Sequence, residues 1–350
     1  MSGEKIKAKR GGSSIGQYSY VLIFAALFLV YFITSKGQLR WTGVTNILRH
    51  TAVVGMLSLG MGLAIIIGEI DLSVGAIMCC DACAGCVLFN ALCAAGCPVW
   101  LIFLLIVLFC LIFGTLLGFF NGILIGKLGL PAFIVTLASQ LIYRSVSQYC
   151  SRALPANVTG DPSNNYKMVQ GAARDVMYKF GNGKVFTLPV CGLIFIVLAI
   201  VLIYVSTNTK YGKRLFAIGS NSKAAHMAGV NVEWTKVSVF ALTGLLCGIG
   251  SVMWLCMQSN VDPATTGVNN EMFAIAAVVL GGISMSGGKG KLIGVIFGAL
   301  SYTVIDKIIA ALNVDSLINN SIKGAILLVA IIIQVIGPRL RNSKVKKQKA

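Results

Sequence analysis

Long apolar stretches alternate with short polar segments along almost the whole chain. Ten stretches are candidate membrane crossings, at about residues 18–34, 51–67, 72–92, 99–119, 131–149, 189–206, 237–256, 271–284, 291–311 and 318–337. Most approach the roughly 20 helical residues that cross a bilayer, and the eighth is too short to cross straight. The alternating strands of a membrane barrel are absent from the pattern. The pattern predicts an all-α integral membrane protein with about ten transmembrane helices, some short or broken.

Composition supports a membrane protein and argues against a soluble one. Of the 350 residues, 57% are hydrophobic and only 11% are charged, and the mean hydropathy is +0.85. A soluble domain needs a larger polar shell than this. The first apolar stretch follows a basic tail, as in a signal peptide, but no small-residue cleavage site precedes Lys36. We therefore expect an uncleaved first span.

The formal charge of +18 indicates membrane orientation rather than nucleic-acid binding. The basic residues lie in tails and loops between the apolar stretches, and ten crossings leave both termini on one side. That side carries 18 of the 29 Lys and Arg residues, which by the positive-inside rule predicts cytoplasmic termini. The predicted organisation is a basic tail (1–17), a transmembrane domain (18–337) and a second basic tail (338–350). The domain contains an external loop (151–188) and a cytoplasmic loop (207–236).

Several sequence features suggest metal, nucleotide or catalytic sites but fit them poorly. Cys80, Cys83 and Cys86 have the spacing of an iron–sulfur ligand run, yet they lie within an apolar helix-length stretch where small thiols pack well. Residues 281–291, GGISMSGGKGK, lack the Gly and Ser/Thr positions of a phosphate-binding loop. His50 and His226 form no ligand or catalytic set. We expect no metal, no cofactor and no enzyme chemistry.

Three acidic residues follow one another closely in the stretch GEIDLSVGAIMCCD. Glu69 and Asp71 separate two apolar stretches, and Asp71 with Ser73 is placed to bond free N–H groups at the start of the next helix. Asp81 falls within a span, where an ionisable group indicates function by default. Its alternatives are contact with a polar solute or pairing with one of Lys307, Lys323 and Asp306.

Two further patterns indicate broken helices and a surface helix. IIIGEIDLSVGAI near Ile65 and VVLGGISMSGGKGKLIGV near Val278 both pass through a Gly-rich turn between apolar stretches, as internal repeats of transporters do. The segment NSKAAHMAG predicts a short helix that begins at Asn221 or Ser222 and stops at Gly229. Its Ala224, Ala225 and Met227 are expected on one side, where a partner protein packs or an ordinary basic loop is exposed.

Five blocks in a fixed order resemble the permease subunits of bacterial ABC importers for monosaccharides, of the ribose, xylose and methyl-galactoside type. They are GEIDLSVGA, NGILIGKLGLPAFIVTLAS from Asn121, TKYGKRLFAIGSNSKAAHMAGVNV from Thr209, FAIAAVVLGGISMSGGKGKLIGVIFGAL from Phe273 and SIKGAILLVAIII from Ser321. The resemblance runs from Asn46 to about Gln334, and one block alone is not specific. Asp81 and the neighbouring cysteines depart from the family pattern.

The resemblance implies a plasma (inner) membrane subunit that forms a pathway with a second permease protomer. A cytoplasmic ABC ATPase would bind the ATP, and an extracytoplasmic sugar-binding protein would deliver the monosaccharide. The implied ATPase-coupling residues are Ala217, Gly219, Asn221, Ala224, Ala225, Gly229 and Val230. We assign Arg144, Arg152 and Arg174 to contacts with acidic groups of the binding protein.

The expected translocation pathway passes the turn after the second span and the break after the fourth. Its candidate residues are Asp71, Ser73, Asn121, Pro131, Phe133 and Thr136, because a proline at membrane depth frees backbone groups that protein or water must satisfy. Three alternatives stay open at this stage. They are an ABC permease for nucleosides, autoinducers or branched-chain amino acids, an ion-coupled secondary transporter, and a membrane scaffold or receptor.

Overall fold

The computed structural model describes residues 19–35 and 41–312, with isolated positions between 321 and 332. Within residues 19–312 the described chain forms thirteen α-helices and four two-residue strands. The helices are α1 (Ser19–Thr34), α2 (Trp41–Ile66), α3 (Val74–Ala94), α4 (Val99–Gly126), α5 (Ala132–Ala153), α6 (Ala156–Thr159), α7 (Ala172–Asn182), α8 (Val190–Asn208), α9 (Lys210–Ser220), α10 (Ser222–Met227), α11 (Val232–Gln258), α12 (Asn270–Leu280) and α13 (Leu292–Ala311). The strands are β1 (Tyr166–Lys167), β2 (Lys184–Val185), β3 (Leu188–Pro189) and β4 (Asn260–Val261).

Nine of the ten predicted crossings coincide with helices of the structure. These helices are α1 to α5, α8 and α11 to α13, and six of them (α2, α3, α4, α8, α11 and α13) are long and apolar enough to cross a membrane. The tenth crossing, 318–337, and both predicted tails lie mostly or wholly outside the described residues. The chain is thus a mostly helical membrane protein. The total of ten crossings and the cytoplasmic location of both termini stay predictions.

Three helices extend beyond the predicted apolar stretches. Helix α2 begins at Trp41 rather than near residue 51, α4 continues to Gly126, and α11 begins at Val232. The added turns carry polar side chains that the structure satisfies internally, as where Arg49 Nη1 donates to Asn182 Oδ1 at 2.9 Å. Hydropathy counts such residues as polar because it ignores their partners. The boundary errors therefore follow from tertiary hydrogen bonds.

Helix α11 packs against α2, α3, α4 and α7 and forms the centre of the bundle. Its contact with α4 runs along glycines, because Gly114 and Gly118 of α4 face Gly244 and Gly248 of α11. A Cβ atom added at Gly114 would lie 2.7 Å from the carbonyl oxygen of Gly244. Small residues at four-residue intervals let helix backbones approach this closely in membranes. The two helices are therefore held in direct backbone contact.

The two predicted loops contain secondary structure at opposite ends of the bundle. In the loop 151–188, strand β1 pairs antiparallel with β4, with Tyr166 opposite Val261, and Tyr166 donates a 2.8 Å hydrogen bond to the carbonyl of Ser147. We call this the sheet end. The loop 207–236 instead folds into α9, α10 and the start of α11. We call this the α9–α10 end.

Candidate functional site

The turn between α2 and α3 holds a buried carboxylate. Asp71 is fully buried, and its Oδ1 accepts hydrogen bonds from the backbone N–H of Ser73 at 2.9 Å and from the Ser73 hydroxyl at 2.5 Å. Burial raises the pKa of Asp71 to about 6, against the lowering effect of the two bonds from Ser73. Its Oδ2 has no hydrogen-bond partner among the described residues. One buried acceptor of the turn is thus left without a hydrogen-bond partner in the described structure.

Asp71 accepts a free N–H at the helix start as expected, but it is not the capping residue. Ser73 itself precedes α3, and its side chain makes no capping bond there. An Asp followed two residues later by Ser forms a local turn of this kind readily. The acid therefore fixes the turn that leads into α3, and the Ser73 hydroxyl is left to face another helix.

Asn121 connects this turn to two further helices. Its Nδ2 donates to Ser73 Oγ at 2.9 Å, while its Oδ1 accepts from Ser139 Oγ at 2.6 Å and from the Tyr143 hydroxyl at 3.4 Å. We name Asp71, Ser73, Asn121, Ser139 and Tyr143 the Asn121 network. All five side chains are buried. A buried network of this size is costly unless its members satisfy one another, so its geometry is tightly specified.

The structure brings together four of the six predicted pathway residues. Asp71, Ser73 and Asn121 form the network, and the buried Thr136 lies beside it, donating to Ala132 O at 2.8 Å and approaching Ile70 O at 3.4 Å. Pro131, which directly precedes α5, and Phe133, on the outer side of α5, are instead exposed, and 56% of Phe133 is accessible. Neither residue takes part in the network.

Sequence reasoning named Thr136 and Arg144 but missed the other residues on the polar face of α5, which are Ser139, Gln140, Tyr143 and Gln148. Ser139 and Tyr143 complete the network, and Thr136, Gln140, Arg144 and Gln148 form what we call the α5 stripe. The signal was present, because these polar residues recur every three or four positions in the fifth predicted crossing. That periodicity also explains why α5 is not among the six strongly apolar helices.

The α5 stripe contacts the irregular segment 262–269 and the start of α12. Arg144 Nη1 donates to the carbonyls of Pro263 at 3.0 Å and Thr266 at 3.1 Å. Gln140 Nε2 donates to Oε1 of the buried Glu271 at 3.1 Å. Helix α12 has only 11 residues, about 16 Å of helix, which is too short to cross a bilayer alone. The non-helical segment 262–269 therefore supplies the rest of this crossing. Such backbone is stable at membrane depth only when protein groups satisfy it.

The three arginines predicted to contact a binding protein occupy different environments. Arg144 uses its guanidinium on the two backbone carbonyls of segment 262–269. Arg174 Nη1 donates a hydrogen bond to Gln170 Oε1, and both residues lie in the loop 151–188. Arg152 is exposed at the end of α5. Arg152 thus has the most accessible guanidinium of the three, and the partner contact stays a prediction for each.

The predicted coupling segment forms α9 and α10. Asn221 caps α10 by accepting from Ala224 N at 3.0 Å, and Gly229 ends it with a φ of +82°, as the sequence predicts. The predicted apolar side is wrong in detail: Ala225 is buried against the bundle, while Ala224 and Met227 face outward. The helix turns Ala225 inward because it packs on the core cluster.

The other coupling residues differ in exposure. Ala217, Asn221, Ala224 and Gly229 are exposed, whereas Gly219 and Val230 are half-buried. Met227 is an apolar side chain that is 88% exposed. The segment therefore presents both an outward surface and anchor points to the bundle.

Gly219 packs closely against the bundle, because the turn after α2 and the Gly-rich turn after α12 both contact it. The N–H of Gly288 donates to Ile66 O at 2.9 Å, so the two turns that echo each other in sequence touch. A Cβ atom at Gly219 would overlap Ile66 O and lie 2.5 Å from Gly288 N. Nearby, Lys236 forms an ion pair with Glu69. The α9–α10 segment thus packs directly against the turn that carries Asp71.

The cysteines pack as apolar residues. All eleven are free thiols, and Cys79, Cys83 and Cys86 lie in one apolar cluster with Phe89 and Ile106, as predicted for a packing stripe. Within the described part of the chain, no three His, Cys, Asp or Glu side chains are arranged to hold a metal ion.

Asp81 is separate from the Asn121 network. It is fully buried on α3, with the Ser251 hydroxyl and the Cys110 thiol as polar neighbours. Neither carboxyl oxygen has a well-aligned hydrogen bond among the described residues, and Lys323, one predicted partner, lies outside them. A charged carboxylate is very unfavourable in this setting. Asp81 therefore plays no part in the site described above.

Comparison with known proteins agrees with this architecture. Residues 43–335 match the family described as branched-chain amino acid transport system / permease component. The chain is 30% identical to the ribose import permease protein of Haemophilus influenzae, covering 95% of this chain and 97% of the relative.

Two other relatives are similar over comparable lengths. The xylose transport system permease protein of Escherichia coli K12 is 31% identical, covering 92% of each chain. The ribose import permease protein of Bacillus subtilis is 32% identical, covering 89% of this chain and 91% of the relative. These relatives are transport permeases, not enzymes. The chain belongs to this family of membrane permease components.

Proposed function

We propose that the chain is the membrane-spanning permease subunit of an ATP-driven importer for a monosaccharide, with a pentose such as ribose or xylose as the first candidate. The observation that carries the proposal is the end-to-end similarity to ribose and xylose permeases. The site agrees with it, because the Asn121 network and the α5 stripe place hydroxyl, amide and carboxyl groups between the apolar helices. Such groups suit a solute that carries many hydroxyls.

The proposed subunit works in an assembly in the bacterial plasma (inner) membrane. A second permease protomer, identical or related, shares the pathway, an ABC ATPase binds the α9–α10 segment and an external sugar-binding protein binds the sheet end. The exposed Met227 and Ala224 support a partner at the first surface, and the exposed Arg152 supports an acidic partner at the second. In this topology ten crossings leave both termini in the cytoplasm.

The proposed division of labour leaves the chemistry to the ATPase. ATP is bound and hydrolysed there, and the permease needs no cofactor, metal or catalytic residue of its own. Closure of the ATPase would move α9 and α10, and the contacts of Gly219 would pass this movement to the turn that holds Asp71. Two sites would then share one two-state rearrangement.

A second candidate follows from the description of the matched family. That description names branched-chain amino acids, which carry a carboxylate and an ammonium group. The Asn121 network holds one buried carboxylate, Asp71, and no cationic side chain. A zwitterion would leave its own carboxylate without a positive partner there, so the network favours an uncharged polyol.

Deleting the gene from its host tests the proposed function. We expect the deletion strain to lose uptake of a radiolabelled monosaccharide from a panel of ribose, xylose and galactose, and the wild-type chain to restore it. Uptake should fail when ATP is depleted but continue when a proton uncoupler acts at maintained ATP. Loss of leucine uptake with intact sugar uptake would favour the amino-acid candidate. Uncoupler-sensitive uptake at maintained ATP would instead indicate an ion-coupled transporter.

A further inference from the structure

A polar cavity of about 340 Å³ lies at the sheet end. It is formed where the end of α5, the segment 163–165 and the segment after β4 meet, and the pairing of β1 with β4 holds these parts together. The polar and charged side chains that line it include Gln148, Ser151, Arg152, Asn164, Asn165 and Asp262. Its volume lies at the lower end of the range of small-molecule sites.

We infer that this cavity is an entry site that binds the sugar itself before it moves between α5 and segment 262–271. The inference rests on the proposed function and adds to it a binding site and its ligand class, a neutral polyhydroxyl compound. Nothing in the family resemblance assigned these residues to sugar binding.

The lining matches a sugar in the kind and balance of its polar groups. Gln148, Asn164 and Asn165 each offer a donor and an acceptor, as every sugar hydroxyl does. Arg152 contributes one positive charge and Asp262 one negative charge, so the cavity has no excess of either sign. An anionic ligand would favour a cationic lining, which this cavity does not have.

Asp262 is already oriented for binding. Its Oδ1 accepts from Ala264 N at 2.8 Å and its Oδ2 accepts from Thr265 Oγ1 at 2.6 Å. Each carboxylate oxygen can accept a further hydrogen bond. A side chain that its own turn holds in place loses little entropy on binding, which favours a specific contact over a transient one.

Two other cavities of the described structure have a different character. One of about 460 Å³ between α3, α4 and α5 is lined by Cys80, Phe109, Phe113 and similar side chains. Another of about 260 Å³ between α4, α7, α8 and α11 is lined by Phe103, Leu198 and Met253. Both suit hydrocarbon rather than a sugar. The polar cavity thus differs from them in chemistry.

The α5 stripe connects the cavity to the Asn121 network. Gln148 belongs to the stripe and also lines the cavity, where its Nε2 donates to Pro263 O at 3.4 Å. Arg144, Gln140 and Thr136 follow it along α5 at about 6 Å intervals, which bring the stripe beside Ser139. The full distance along the helix is about 18 Å. A sugar leaving the cavity would therefore pass polar groups along its route, and Arg144 and Gln140 would exchange their bonds to Pro263, Thr266 and Glu271 for bonds to the sugar.

Saturation-transfer NMR on the full chain in sugar-free nanodiscs tests the inference, with D-ribose and D-xylose as probes at millimolar concentration. The test variant is Gln148→Leu with Asn165→Leu. The control is Gln258→Leu. Gln258 is an exposed glutamine at the last position of α11, at the sheet end, and it does not line the cavity. We expect the double variant to reduce the transfer signal at least about fivefold, since each lost hydrogen bond is worth roughly 1 kcal/mol. The control should keep the signal.

A second readout separates sugar binding from docking of the binding protein. In reconstituted complexes, the double variant should lower the maximal uptake rate and leave the half-saturating concentration of sugar-loaded binding protein unchanged. An unchanged transfer signal with a raised half-saturating concentration would make the cavity a protein-docking socket and overturn the inference. Absence of any signal from a wild-type chain that still supports uptake would also overturn it, while leaving the import function intact. Loss of wild-type uptake itself would contradict the proposed function instead.

Discussion

Replacing Asn121 with leucine is expected to abolish sugar uptake. Leucine has the same branching at Cγ as asparagine but is larger and has no polar atoms, so it leaves the Ser73 and Ser139 hydroxyls without the partners they have at 2.9 Å and 2.6 Å. Each stranded buried group costs about 1–3 kcal/mol, so the packing of α3, α4 and α5 should weaken by about 2–6 kcal/mol. The measurement is uptake of labelled ribose and xylose together with thermal unfolding of the purified complex.

Asn208→Leu is the matched control for this prediction. Asn208 lies exposed at the end of α8 and bonds only to the neighbouring Thr207 in the described structure. Ser139→Ala supplies a milder test, because Asn121 Oδ1 keeps the Tyr143 hydroxyl as a donor. We expect it to remain folded with uptake reduced about tenfold or less. Normal uptake by Asn121→Leu would remove the network from the account.

Replacing Gly219 with alanine is expected to disconnect ATP hydrolysis from transport. The added methyl group overlaps Ile66 O and crowds Gly288 N, so α9 must move away from the two Gly-rich turns. Overpacking of this kind costs about 1–3 kcal/mol, enough to shift a two-state equilibrium by roughly five- to 150-fold. Sugar uptake, and the increase in ATPase activity on adding sugar-loaded binding protein, should both fall by about that factor.

Gly250→Ala is the matched control within the bundle. A Cβ atom there meets its nearest neighbours at 3.7 Å or more, so the substitution fits and helix propensity favours it. Co-purification of the ATPase with the Gly219 variant shows whether the complex still forms. If the Gly219 variant transports at the wild-type rate, the route from α9 to the Asp71 turn does not carry the coupling.

The sequence predicted the helices that are apolar all along, and the structure shows why others were harder. The stretch that became α4 was found by hydropathy, but its last turns contain Asn121, whose polarity is satisfied by Ser73, Ser139 and Tyr143 outside α4. The early start of α2 depends in the same way on the contact of Arg49 with Asn182. Boundaries that rest on distant partners are not visible in a local pattern.

About half of the candidate site could be predicted from the sequence. Asp71 and Ser73 were chosen because they lie at the turn after the second span, and Asn121 because it lies at the break after the fourth. Ser139 and Tyr143 needed a helical reading of α5, and the pairing of Gln140 with Glu271 needed the path of segment 262–269. Pro131 and Phe133 were included because they flank a break, but a break shows where the backbone bends and not which way side chains face. Their exposed positions at the start of α5 required the packed structure.

Function was more accessible than geometry. The five sequence blocks that resemble monosaccharide permeases span the same region as the family match to residues 43–335. Neither the blocks nor the periodicity of the helices indicates the polar cavity at the sheet end, because its lining comes from three separate segments. Sites assembled from distant loops depend on tertiary structure, even where the family is known from sequence.

Reconstitution of the purified assembly tests the central claim most directly. The chain is placed in liposomes with the ATPase that co-purifies with it and with a sugar-binding protein from the same host, and accumulation of labelled ribose and xylose is followed. The account predicts that one of these sugars accumulates only when ATP is supplied to the ATPase side, and that Asn121→Leu prevents it. Equal accumulation without ATP, or by the chain alone, would contradict the account.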